Sequence, residues 1–201
     1  MSLAVSESGD HSSTLASVSW ICGVIYTIMF SSGLAFQCYV NNSNKSTRGY
    51  STDFALIAFA GFFFLLYNQT VGMMDPTTDA GRVHVMDMVF AVSAFIFSSI
   101  SLTQTFIFPS DPPLRSTVLV VYIVFIGFTL AAIVECYGGI PFSHYSGFSL
   151  IYLAAICKAM SSLTKYLYQI RANYVNKGTK GYSMASMWTD WIGSLFCFAQ
   201  L

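Results

Sequence analysis

The chain has 201 residues, of which 55% are hydrophobic and only 9% charged. A soluble domain of ordinary composition carries about 25% charged residues, so this one cannot coat a water-facing surface of its size. Nine basic residues offset nine acidic ones, which leaves no electrostatic footprint for a nucleic-acid partner.

The first 17 residues form a polar tail whose Glu7 and Asp10 oppose the basic start of a cleaved signal peptide. Six apolar segments follow, at about 18–40, 53–72, 86–108, 116–137, 148–170 and 183–201. Each comes near the ~20 residues that cross a bilayer at 1.5 Å per residue, and the first would serve as a signal anchor. All five prolines (Pro76, Pro109, Pro112, Pro113, Pro141) fall in the connections, where a helix breaker belongs. The expected fold is an all-α membrane bundle. Cys22, Cys38, Cys136, Cys157 and Cys197 lie in apolar stretches without metal-ligand spacing and read as packing residues.

Basic residues set the orientation. Lys45 and Arg48, then Arg115, then Arg171, Lys177 and Lys180 occupy alternate connections, while the opposite side holds Arg82 alone. This bias predicts a lumenal N-terminus and three cytosolic basic loops.

Shifting the chain by 132 residues lays Gln37–Ser51 on Gln169–Ser183, and ten of the 28 positions 37–64 are identical to their partners in 169–196. Composition alone would give about one or two. Each copy is a helix end, a basic turn and the next helix, and four helices separate the copies. Both therefore run the same way across the membrane, as in parallel-repeat transporters. The domain reading is a lumenal tail (1–17), a first three-helix bundle (18–108), a linker helix (116–137) and an incomplete second bundle (148–201). Six helices of an expected seven are present, as in a truncated sequence.

Gly49-Tyr50-Ser51-Thr52-Asp53-Phe54 in the first copy, and Lys165-Tyr166-Leu167-Tyr168-Gln169, Asn173, Gly181-Tyr182-Ser183 and Asp190 in the second, resemble the motifs of the PQ-loop family, whose fold is SWEET-like. Asp87 and Gln104 match an aspartate and a glutamine of its cystine-exporting branch. Phe36 and Tyr168 replace the family's two prolines, and Ala58 and Ser186 replace two asparagines. The resemblance implies export of cystine or a related amino acid, with a proton, from a lysosome or vacuole. A PQ-loop exporter of cationic amino acids, a cargo receptor like the KDEL receptors, or a non-transporting truncated product are the alternative readings.

An ionisable side chain at a bilayer centre costs about 2.5–3.5 kcal/mol, so Lys158, Lys165, Asp190, Asp87 and Glu135, within or near the spans, should face inward. At 100° per residue Lys158, Lys165, Gln169 and Asn173 share a stripe about 80° wide. They read as a wall of donors for substrate carboxylates; interhelical glue for Gln169 and Asn173, and snorkelling for Lys165, are the plainer alternatives. Gln37, the repeat partner of Gln169, would line the opposite wall. Asp190 would bind a substrate ammonium or exchange a proton, or else neutralise Lys165. Asp87 sits where an acidic lumen can protonate it, or is a first-turn helix acid beside His84. Asp53 reads as a helix-start residue and Glu135 as interfacial. His11, His84 and His144 are isolated, and no nucleophile–base pair, metal cluster or phosphate loop is seen, so neither enzyme activity nor a cofactor is expected.

Overall fold

A computed structural model describes residues 3–74, 84–138 and 150–200. Pro76, Arg82, Pro141 and His144 lie outside them, and the side chains of Glu7, Asp10, His11, Glu135 and Cys136 are likewise not described. Six helices make up the fold: α1 (Leu3–Asn44), α2 (Thr52–Met74), α3 (Val85–Ile107), α4 (Arg115–Gly138), α5 (Leu150–Val175) and α6 (Met184–Gln200). No strand occurs among the described residues.

The helices outrun the apolar segments. α1 continues to Asn44 rather than residue 40, and α5 to Val175 rather than 170, because backbone hydrogen bonding persists through polar last turns. Helical backbone also extends back to Leu3, through the stretch expected as a tail. Four helices are long and apolar enough to cross a membrane by length and composition: α1 from Ser17, α2, α3 and α4 up to Val134. α5 falls below that standard because Lys158, Lys165, Gln169, Arg171 and Asn173 dilute it; α6 has only 17 described residues.

α3 packs against both α1 and α2, α6 lies along α1, α5 lies along α2, and α4 packs lightly on α2 and α5. A buried cluster of Tyr50, Phe54, Ala58, Phe62 and Ala94 holds α2 to α3. A second, with Phe64, Phe128, Leu150 and Ala154, joins α2, α4 and α5. The paired contacts α1–α6 and α2–α5 exchange under the 132-residue shift, as an internal two-fold requires.

Both repeats end their first helix alike. Lys45 and Lys177 take left-handed φ of 47° and 49°, and Gly49 and Gly181 take φ of 87° and 96°. Tyr50 N–H then bonds Thr47 O at 3.0 Å, and Tyr182 N–H bonds Thr179 O at 3.1 Å. The two turns press together: a Cβ on Gly49 would strike the carbonyl of Lys180, and one on Gly181 that of Arg48. Only glycine meets both the φ and the space. Ser51 Oγ accepts from Phe54 N at 3.3 Å and Ser183 Oγ from Ser186 N at 3.2 Å, capping α2 and α6. Asp53 lies in the first turn of α2, as expected, and also accepts the Leu114 N–H at 2.8 Å, tying the α3–α4 connection to α2.

Candidate functional site

The α5 row faces the bundle. Lys165 is 8% exposed and Gln169 3%, whereas Leu163, Leu167 and Ile170 between them are 63–70% exposed. The row then divides in two.

Gln169 is fully engaged at the basic end. Its Nε2 donates to Gly49 O (2.8 Å) and Asn173 Oδ1 (2.9 Å), and its Oε1 accepts from Ser51 N (2.9 Å). Gln37 repeats this pattern across the internal two-fold: Nε2 to Gly181 O (3.0 Å) and Asn41 Oδ1 (2.8 Å), Oε1 from Ser183 N (2.8 Å). Each glutamine thus clamps its helix to the opposite repeat's turn. Gln37 and Gln169, expected as substrate walls, thus have both amide heavy atoms engaged by protein partners, and Gln169 and Asn173 also line a cavity of about 580 Å³ with Tyr166, Tyr182 and Asp190. Asn173 serves Gln169 as an acceptor.

Deeper in the bundle a chamber of about 290 Å³ opens between α1, α2, α5 and α6, lined by Lys158, Lys165, Tyr166 and Asp190 with Phe30 and Phe62. Phe62 is a shared floor: Lys158 Nζ lies 4.3 Å and Lys165 Nζ 5.3 Å from its ring centroid. Lys165 also lies 4.7 Å from the Tyr166 ring and 5.4 Å from that of Phe54. Such contacts are worth about 2 kcal/mol or more when desolvated. Lys158 donates to Ser162 Oγ at 3.0 Å. Lys165 has no hydrogen-bond or ion-pair partner among the described residues and lines the chamber. It does not snorkel.

Asp190 completes the chamber from α6. Its Oδ2 accepts from Tyr166 Oη at 2.9 Å, and Gly33 on α1 lets Asp190 and Thr189 approach, because a Cβ there would crowd both. Tyr182, in the turn before α6, is pushed up to about 12 by burial and by the Asp190 charge, so its phenol stays neutral.

Asp87 stands apart. It accepts a hydrogen bond from Tyr26 Oη, one turn from Phe90 at the chamber's edge, and shares no contact with Asp190. Gln104 bridges α3 to α1, accepting from Asn41 Nδ2 at 2.9 Å and donating to Cys38 O at 3.1 Å. Residues missed in the sequence are Tyr166, Tyr26, Ser162 and Phe62. Their signal was spacing: Tyr166 adjoins Lys165, and Ser162 lies one turn from both lysines. Among the described residues no group of three or more metal-ligating side chains occurs.

No protein-family model matches the chain. It is 27% identical to a cystinosin homolog of Caenorhabditis elegans over 201 aligned residues, covering 93% of this chain and 48% of that protein. It is 23% identical to cystinosin of Drosophila melanogaster, covering 94% and 50%, and 22% identical to cystinosin of Bos taurus, covering 95% and 54%. The chain spans about half the length of these curated relatives. Over more than nine-tenths of its own length, this all-helical membrane chain is cystinosin-like in sequence.

Proposed function

We propose that the chain exports cystine, or a closely related amino acid, together with a proton from the lumen of a lysosome or vacuole to the cytosol. The observation that carries this reading is the convergence of Lys158, Lys165 and Asp190 on one chamber, with Lys165 held by aromatic rings and without a hydrogen bond or ion pair among the described residues. An ammonium held over aromatic faces is ready to receive a carboxylate. Asp190 faces it as the acceptor for a substrate ammonium. A zwitterion with two carboxylates and two ammonium groups complements such a lining; a cationic substrate would be repelled by the lysines.

Asp190 is also the group we assign to proton exchange. The acidic compartment protonates Asp190 on the loading side, where its neutral carboxyl still accepts from a substrate ammonium, and the proton leaves with the substrate on the cytosolic side. Asp87, bonded to Tyr26 nearer the opposite end, is assigned to proton entry. Gln37, Gln169 and Asn173 act as the closure of the basic end, which the basic-loop bias makes cytosolic. Release to that side requires the two glutamine clamps to part as the repeats rock about the chamber.

The deciding experiment is accumulation of labelled cystine by the reconstituted chain under an imposed pH gradient. Gradient-dependent accumulation abolished by Lys165→Ala supports the reading. Uptake that arginine or lysine, but not cystine, competes away would replace it with export of a cationic amino acid.

A further inference from the structure

A crevice of about 300 Å³ lies between α2, α4 and α5, on the flank of α5 next to the charged row. Its walls are aliphatic and aromatic, among them Ile57, Phe64, Val121 and Val124. Four hydroxyl-bearing helix residues, Thr117, Ser161, Thr164 and Tyr168, also line it. Ser161 and Thr164 donate to the carbonyls of Lys158 and Met160, both at 2.8 Å. Thr117 does not: it is 3% exposed and its Oγ1 has no hydrogen-bond partner. A buried hydroxyl left so costs about 1–3 kcal/mol, which a ligand hydroxyl would offset.

Depth narrows the ligand. Thr117 is two residues inside α4 from Arg115, the basic residue at the helix start, so its hydroxyl lies just beneath the membrane–water boundary. Tyr168 separates the crevice from a polar cavity lined by Asp53, Asp111 and Arg171. The two carboxylates there disfavour a phosphate, and an acyl chain brings nothing to pair with Thr117. A molecule with one hydroxyl at the end of a rigid apolar body suits both the depth and the chemistry. Rigidity also limits the ordering cost of binding.

From this geometry we infer that the α2–α4–α5 crevice is a binding site for a membrane sterol, whose hydroxyl pairs with Thr117 Oγ1 and whose rings lie between α4 and α5. Light packing of α4 against the bundle leaves room for the ligand's remainder to reach the bilayer. The site is separate from the transport chamber and does not depend on its assignment.

The test uses the purified chain in phosphatidylcholine nanodiscs with and without cholesterol, and a photoactivatable cholesterol analogue. Labelling should fall on residues 115–124 and 156–168, compete with cholesterol, and weaken about fivefold in Thr117→Val, equivalent to about 1 kcal/mol. Cholesterol should raise the melting temperature of the wild type and not of this variant. Without sterol, Thr117→Val should melt at or above the wild-type temperature, since it removes an unpaired buried hydroxyl. Ala60→Phe, which fills the crevice, should abolish labelling. Labelling that cholesterol fails to displace, equal labelling of Thr117→Val, displacement by phosphatidylcholine, or a sterol-free melting loss in Thr117→Val would each overturn the assignment.

Discussion

The Tyr166 hydroxyl donates to the Asp190 carboxylate at 2.9 Å while the same ring lies 4.7 Å from the Lys165 ammonium. One residue therefore holds the acid and cradles the cation. Tyr166→Phe keeps the ring and removes only the donor. It should shift the pH dependence of cystine uptake while changing half-saturation less than threefold, about 0.6 kcal/mol. An unchanged pH profile would detach Tyr166 from proton exchange.

Lys165→Ala should weaken substrate binding by about tenfold or more, because a charge-assisted hydrogen bond is worth about 1.5–3 kcal/mol. Lys165→Arg retains charge but not the compact ammonium that fits among Phe54, Phe62 and Tyr166, so it should rescue only part of the loss. Isothermal calorimetry or ligand-induced thermal shift reads both.

Asp190→Asn should give uptake that no longer responds to a pH gradient while exchange of substrate down its own gradient persists. Tyr182→Phe is the companion: its phenol, pushed up to about 12, stays protonated at any working pH, so removing it should leave the pH profile in place. Proton flux measured with an entrapped dye separates the two variants.

Gln169→Leu removes three hydrogen bonds and strands the Ser51 N–H and Gly49 O in a buried turn. It should destabilise the protein by about 2–4 kcal/mol, and Gln37→Leu should match it. Unequal melting losses would mean that the clamps are not equivalent. Gly49→Ala and Gly181→Ala should each cost more than about 1 kcal/mol through φ alone, whereas Gly127→Ala, where a Cβ would meet nothing, should be close to neutral.

The inward face of α5 was legible in the sequence because burial of polar groups in a lipid-facing bundle leaves a helical period, and Lys158, Lys165 and Gln169 kept it. The division of that row was not legible. Gln169 and Lys165 differ by one turn, and only the arrival of Gly49 and Ser51 from the other repeat makes the glutamine a fastener. The internal alignment did hold the clue. Gln37, Gly49 and Ser51 recur as Gln169, Gly181 and Ser183, whereas Lys158, Lys165 and Asp190 fall opposite Tyr26, Gly33 and Ala58. What both copies share builds the frame, and what they do not share furnishes the chamber. Tyr166 escaped notice because sixteen per cent of the chain is aromatic and nothing local marks one ring as polar in use. The ends of α1 and α5 were misjudged because hydropathy reports where lipid stops, not where a helix does.

Gly49 and Gly181 lie face to face, each packed on the residue preceding the other. The two fastenings therefore meet along one seam, and the first turn is tied in addition to the α3–α4 connection, by Thr47 N–H to Pro109 O at 3.0 Å and Thr52 Oγ1 to Asp111 O at 2.6 Å. Withdrawal of Gln169 loosens the turn whose Arg48 supports Gly181, the acceptor of Gln37. A half-undone seam would expose unpaired backbone groups on both sides at once. Loss of one fastening should thereby weaken the other.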